Sequence, residues 1–181
     1  MKKIRFFIFT VMLVVAGMGT MAGCSQNQET LTWIAVTRDI RNKFPDVKQL
    51  QTAELQSWLT SPNSEHVILI DARRKEEFHV SHISGARNIP YNSKDPLKYL
   101  TNIKPDNPIV VYCSVGYRSS AMARKLQTLG FKEVHNLKGS IFKWANEERP
   151  LVQGHTIVHK VHPYNAHWGK LLEKKYHFGA D

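Results

Sequence analysis

From Leu31 to Phe44, apolar residues recur at steps of three or four. Trp33, Val36, Ile40 and Phe44 fall on one face, and Pro45 stops the pattern. This spacing predicts an amphipathic helix. A second helix is expected where Thr52 would serve as N-cap, with Glu54 in the first turn and Leu55, Trp58 and Leu59 as the buried stripe, ended by Ser61-Pro62-Asn63-Ser64. Two uninterrupted apolar runs follow, Val67-Ile68-Leu69-Ile70 closed by Asp71 and Ile109-Val110-Val111-Tyr112 closed by Cys113. Runs without polar alternation suit central strands covered on both faces. The stretch between them is long enough for a helical crossover. After Cys113, Ser119 to Leu129 reads as a helix with Met122, Leu126 and Leu129 on one face and Gly130 as its stop. Val134 to Leu137 reads as a further strand and Ile141 to Asn146 as a short helix. Alternation of strands and helices predicts an α/β fold: an open, mainly parallel sheet flanked by helices, with an N-terminal helix and a short C-terminal extension.

Composition narrows the class. The chain has 181 residues, 42% hydrophobic and 22% charged, which supplies a core and excludes a disordered chain, a disulfide scaffold and a polytopic membrane protein. A formal net charge of +10 leaves nucleic acid, anionic lipid or a small anionic substrate as partner classes. The Lys and Arg residues are scattered, without a run of stacking aromatics, so nucleic acid is set aside.

The N-terminus reads as an address. Lys2, Lys3 and Arg5 precede an apolar stretch from Phe6 to Gly17, and small residues then lead to Cys24. This is the layout of an export signal, although the apolar reach also approaches the length of a retained membrane anchor. Met21-Ala22-Gly23-Cys24 resembles the bacterial lipobox. The resemblance implies cleavage after residue 23 and acylation of Cys24, which would tie the chain to a membrane on its extracytoplasmic side. One thiol, Cys113, would then remain, and an internal disulfide would be impossible.

Cys113 stands at the carboxyl end of the second apolar run, where open α/β sheets bind ligands. Ser114-Val115-Gly116-Tyr117-Arg118 then turns the chain into a helix. Backbone N–H groups of a tight turn form an anion nest, and the following helix adds its positive end. Gly116 permits the turn, and Arg118 adds a permanent positive charge. Together these favour a thiolate, the nucleophilic form. The competing reading is a small buried hydrophobe.

Two motifs resemble the rhodanese, or thiosulfate sulfurtransferase, domain. One is Asp71-Ala72-Arg73, Glu77-Phe78 and His82-Ile83-Ser84-Gly85-Ala86-Arg87-Asn88-Ile89-Pro90, with Ser81 where glycine is usual. The other runs from Val111 through Cys113 to Ser119 and on to Leu137-Lys138-Gly139, Trp144 and Pro150, with Ser140 in place of the second glycine of a usual pair. The resemblance implies sulfur transfer through a Cys113 persulfide. Ser114, Val115, Gly116, Tyr117, Arg118 and Ser119 would form the substrate loop, with Arg118 on the donor's sulfonate and Tyr117 as a gate or hydroxyl donor. It implies a small anionic sulfur donor, a thiol or cyanide-like acceptor, and neither cofactor nor metal. A persulfide-carrying module without turnover is the alternative. Phosphatases on this fold carry Cys-x5-Arg, so the Cys-x4-Arg spacing from Cys113 to Arg118 argues against phosphate or arsenate chemistry. The chain then divides into a lipoprotein signal peptide at 1–23, a tether and amphipathic helix at 24–46, a rhodanese domain at 47–151 and a His-rich C-terminal extension at 152–181.

Asp71, Arg73 and Glu77 read either as acid–base machinery or, the favoured reading, as a buried ion-pair network. His82 reads as a general base or, preferably, as a structural hydrogen-bonding group. The extension holds five of the nine histidines, His155, His159, His162, His167 and His177. Their spacing matches no standard metal motif. Trp168, Leu171 and Leu172 are expected to pack a short helix back on the domain.

Overall fold

The computed structural model describes residues 31–62 and 64–179; the signal segment and Cys24 lie outside them. Among the described residues no helix is long and apolar enough to cross a membrane. A five-stranded, wholly parallel sheet in the order β1-β5-β4-β2-β3 forms the centre. Its strands are β1 (Lys48–Leu50), β2 (Ile68–Asp71), β3 (Arg87–Asn88), β4 (Ile109–Tyr112) and β5 (Val134–Leu137). Every residue of β2 and β4 is buried, as uninterrupted apolar runs require. Helices α1 (Trp33–Lys43), α2 (Thr52–Thr60), α3 (Lys75–Val80), α4 (Tyr117–Thr128) and α5 (Ser140–Asn146) flank the sheet.

Local chemistry adjusts several expected boundaries. Gln51, not Thr52, caps α2: its amide donates to Glu54 Oε2 at 2.8 Å. Thr52 is the first helical residue, and its buried hydroxyl donates to Glu147 Oε2 at 2.5 Å. Val67 precedes β2, which extends instead through Asp71. The crossover between β2 and β4 contains the six-residue α3 and also the edge strand β3. Helix α4 starts at Tyr117, two residues early, because Gly116 turns the chain at φ +128° and caps it at once. Leu129 follows the last turn and is 41% exposed, so it is not part of the buried stripe that Met122 and Leu126 form.

The chain continues into an antiparallel hairpin of β6 (Leu151–Gln153) and β7 (Thr156–Val158). The last segment then returns to the domain as two 3₁₀ turns, Trp168–Leu171 and Lys174–Tyr176. Leu171, Leu172 and Tyr176 join the core, each such burial being worth about 1.5–3 kcal/mol. Asn146 at the end of α5 fastens this segment, donating to Leu171 O and accepting from the Glu173 amide, both at 2.9 Å.

Candidate active site

Strand β4 delivers Cys113 to the carboxyl edge of the sheet, and Ser114-Val115-Gly116 connects it to α4. Helix α5 supports this loop from behind. Its first amides, Ile141 N and Phe142 N, donate to the carbonyls of Cys113 and Ser114 at 3.2 and 3.1 Å. The Cys113 amide donates to Ser140 Oγ at 3.1 Å, and that hydroxyl lies 3.2 Å from Leu137 O. Ser140 has φ +52°, a left-handed conformation that explains why glycine suits this place in the motif. Its hydroxyl provides a contact that glycine cannot.

Cys113 Sγ accepts from the Gly116 amide at 3.2 Å, and Ser119 Oγ lies at 3.4 Å. Burial opposes ionisation of this thiol. The charge of Arg118 and hydrogen bonds from Ser119 and Gly116 outweigh it and hold the thiol below its ordinary pKa. Ser119 has a single proton and two claimants, because Asn136 Oδ1 is 2.5 Å away. The amide of Asn136 is oriented in turn: its Nδ2 donates to Gln49 Oε1 at 2.7 Å, while Gln49 Nε2 donates to Val47 O at 3.1 Å. A chain of amides thus runs from β1 to the hydroxyl beside the sulfur.

Arg118 is not a free charge at the rim. Its Nη1 and Nη2 grip both oxygens of Glu77 at 2.7 and 2.8 Å, and Nη2 also reaches Ser114 Oγ at 2.8 Å. The Ser114 hydroxyl in turn donates to Glu77 Oε1 at 3.2 Å. Burial alone would raise the Glu77 carboxyl; the Arg118 guanidinium reverses this and holds it below the usual glutamate range. The ring of Tyr164 covers the guanidinium face, 4.5 Å from centroid to carbon.

Asp71 and Arg73 form a separate pair, both side chains fully buried. Arg73 binds Asp71 through Nε at 3.0 Å and Nη2 at 2.6 Å, and Nη2 also donates to Ser81 O at 2.6 Å. Asn88 Nδ2 ties the carbonyls of Asp71 and Arg73 together at 3.1 and 2.9 Å. His82 turns Nδ1 to Phe78 O at 3.1 Å and stacks on the Phe78 ring at 3.9 Å. Burial pushes its imidazole below the ordinary pKa. Of the four motif residues, Glu77 is the one that reaches the Cys113 loop, through hydrogen bonds with Ser114 and Arg118.

A cavity of about 310 Å³ opens over the sulfur. Cys113, Ser114, Val115, Tyr117 and Arg118 form its floor and one side, while Lys43, Tyr164 and Trp168 close the rest. Trp168 meets Tyr117 ring to ring at 5.5 Å. Sequence reasoning placed Trp168 in packing and overlooked Lys43, Tyr164, Asn136 and the supporting hydroxyl of Ser140. Two aromatic residues four apart, Tyr164 and Trp168, were the available signal. Among the tail histidines, His162 Nδ1 accepts from the Tyr164 amide at 3.0 Å, and His177 Nε2 lies 3.1 and 3.0 Å from the carbonyls of Gly169 and Leu172. These rings hold the tail's backbone. Among the described residues no three His, Cys, Asp or Glu side chains converge as a metal site would require.

The sequence model of the Rhodanese-like domain matches residues 51–147, more than half of the chain. Uncharacterized protein YqhL of Bacillus subtilis is 40% identical over 79 residues, 44% of this chain and 61% of that protein. The probable adenylyltransferase/sulfurtransferase MoeZ of Mycobacterium tuberculosis is 33% identical over 97 residues, 54% of this chain and 24% of its own length. The chain thus spans less than two thirds of these relatives. Among solved structures, a rhodanese-related protein from Thermoplasma volcanium superposes with a TM-score of 0.50 at 25% identity, covering 59% of this chain and 98% of the other. The thiosulfate sulfurtransferase of Pseudomonas aeruginosa shares the fold with a TM-score of 0.54 at 21% identity, covering 68% of this chain and 23% of that one.

Proposed function

The chain belongs to the rhodanese-like domain family, and on that premise we propose that it transfers sulfane sulfur through a persulfide on Cys113. The reading rests above all on the Gly116 amide 3.2 Å from Cys113 Sγ, at the positive end of α4 and under an open cavity. The thiolate attacks the outer sulfur of a donor such as thiosulfate. The donor's S–S bond breaks, its electron pair leaves with sulfite, and Cys113–S–S⁻ remains. A thiophilic acceptor then takes the outer sulfur and returns the thiolate; cyanide would leave as thiocyanate. The loop amides stabilise the anionic sulfur in both states. Arg118 neutralises the site as one half of a pair. Three of its five N–H donors are engaged by Glu77 and Ser114 among the described residues, so it offers a sulfonate only its remaining donors.

Intact mass after thiosulfate treatment tests this reading. The expected result is a gain of one sulfur, reversed by a reductant and absent in Cys113→Ser, with thiocyanate formed on adding cyanide. Mass gain without turnover would make the protein a persulfide carrier, and no mass gain would end the sulfur reading. We further propose that Cys24 is acylated after export and holds the chain to a membrane outside the cytoplasm, on the strength of the Lys2-to-Cys24 layout. Loss of a lipid-sized mass and of membrane association in Cys24→Ala is the expected outcome.

A further inference from the structure

Only part of the wall around Cys113 comes from the segment that carries the family match. Tyr164 and Trp168 lie beyond residue 147 and Lys43 lies before residue 51, yet all three line the cavity. We infer that Tyr164 and Trp168 determine the donor, and that the preferred donor is an organic sulfane-sulfur compound with a flat apolar body, an aryl thiosulfonate being its simplest form, rather than inorganic thiosulfate. This rests on the sulfur-transfer reading above and specifies its substrate class.

Three observations carry it. Inorganic thiosulfate is a dianion and calls for cationic donors, but the fork of Arg118 is closed by Glu77 at 2.7 and 2.8 Å. The pair is neutral as a unit, and Tyr164 lies over the guanidinium face. The space above the sulfur, about 310 Å³, is bounded by the rings of Tyr117, Tyr164 and Trp168, surfaces suited to a planar apolar group. Lys43 lines the same cavity and can meet the oxygens of a sulfonyl group. The wall is also held in place. Tyr164 has φ +65°, its amide is tied to His162 Nδ1, and Trp168 starts a 3₁₀ turn whose next residues are anchored in the core.

The step balances without a further reagent. In R–SO₂–S⁻ + Cys113–S⁻ → R–SO₂⁻ + Cys113–S–S⁻, the sulfonyl–sulfur bond breaks and its electron pair leaves with the sulfinate. The new bond joins Cys113 Sγ to the transferred sulfur. Two negative charges stand on each side.

The test loads the purified full chain with benzenethiosulfonate, methanethiosulfonate or thiosulfate and follows the gain of one sulfur by intact mass. Each rate constant is divided by that of the same donor with free cysteine, which removes the donor's intrinsic reactivity. The phenyl donor is expected to exceed the methyl donor by roughly three- to tenfold, and to exceed thiosulfate. The phenyl-to-methyl ratio should fall toward one in Trp168→Leu and in Tyr164→Ala. Loading by all donors with no phenyl preference overturns the inference and leaves sulfur transfer standing, as does a preference that survives in either folded variant. Failure of every donor to load Cys113 overturns both.

Discussion

Glu77 and Arg118, 41 positions apart, meet as a bidentate pair at 2.7 and 2.8 Å, which joins α3 to the first turn of α4 directly beside the Cys113 loop. The carboxylate side chain is 2% exposed and the guanidinium side chain 13%. Removing one partner leaves a largely buried charge uncompensated. Glu77→Gln is expected to lower unfolding free energy by about 3 kcal/mol in urea titrations. The pH sign follows from the depressed carboxyl pKa. The pair's contribution is fully present above the ordinary glutamate value, near 4.3, and is lost as pH falls through the lower folded value. Glu77→Gln should therefore flatten the acid limb of stability against pH.

Ser119 lies 3.4 Å from the sulfur and shares its proton with Asn136. Ser119→Ala removes one of the groups that favour the thiolate while the Gly116 amide stays. Persulfide loading should slow by roughly threefold below the thiol's midpoint and match wild type at high pH, where the thiolate forms regardless. A uniform slowing at every pH would mean that Ser119 acts on geometry and not on ionisation.

At position 140, backbone and side chain want different residues. Ser140→Ala keeps the φ of +52° and orphans the Cys113 amide, now 3.1 Å from the hydroxyl. Denaturant titration should show a loss of about 1–3 kcal/mol. Ser140→Gly orphans the same amide but relieves a backbone cost of about 1–2 kcal/mol, so it should be the milder change. The reverse order would refute this account of the position.

Gly116→Ala should disturb the loop twice. The φ of +128° strains any residue with a Cβ, and the new carbon would stand 2.8 Å from Ile40 Cδ1 and 3.4 Å from Asn136 Nδ2. The Ile40 methyl can shift, so the backbone dominates the cost, about 1–3 kcal/mol. Re-aiming the Gly116 amide should also slow sulfur loading at neutral pH by roughly tenfold. Thermal melting and stopped loading assays report the two effects separately.

The centre of the sheet was legible because β2 and β4 are written as apolar runs, and β5 was read as a strand although only Val134 and Leu137 of it are apolar. Edge strand β1 was not: Lys48-Gln49-Leu50 buries only Leu50 and carries no run or alternation long enough to register. The place of Cys113 and its loop at a strand end was legible because the strand-to-helix turn is contiguous in sequence. The partner of Arg118 was not, since nothing local to the Cys113 loop points to Glu77 on another helix. Thr52 was misjudged as a cap because its hydroxyl serves Glu147, 95 positions away. The aromatic wall escaped notice for a related reason. Tyr164 and Trp168 gain their meaning from a return of the chain that periodicity does not encode.

Ile40 on α1 stands directly behind Gly116, and Gln49 on β1 orients the amide that holds Ser119. Both precede residue 51, where the family match begins. Excising residues 51–147 as a minimal unit would keep Cys113 and the Glu77–Arg118 pair. It would remove the brace behind the loop, an edge of the sheet and the aromatic cover in one cut. Such a fragment would hold Cys113 in an opened cleft reached by water, and sequence transplanted at those boundaries would carry the Cys113 loop without the side chains that wall it.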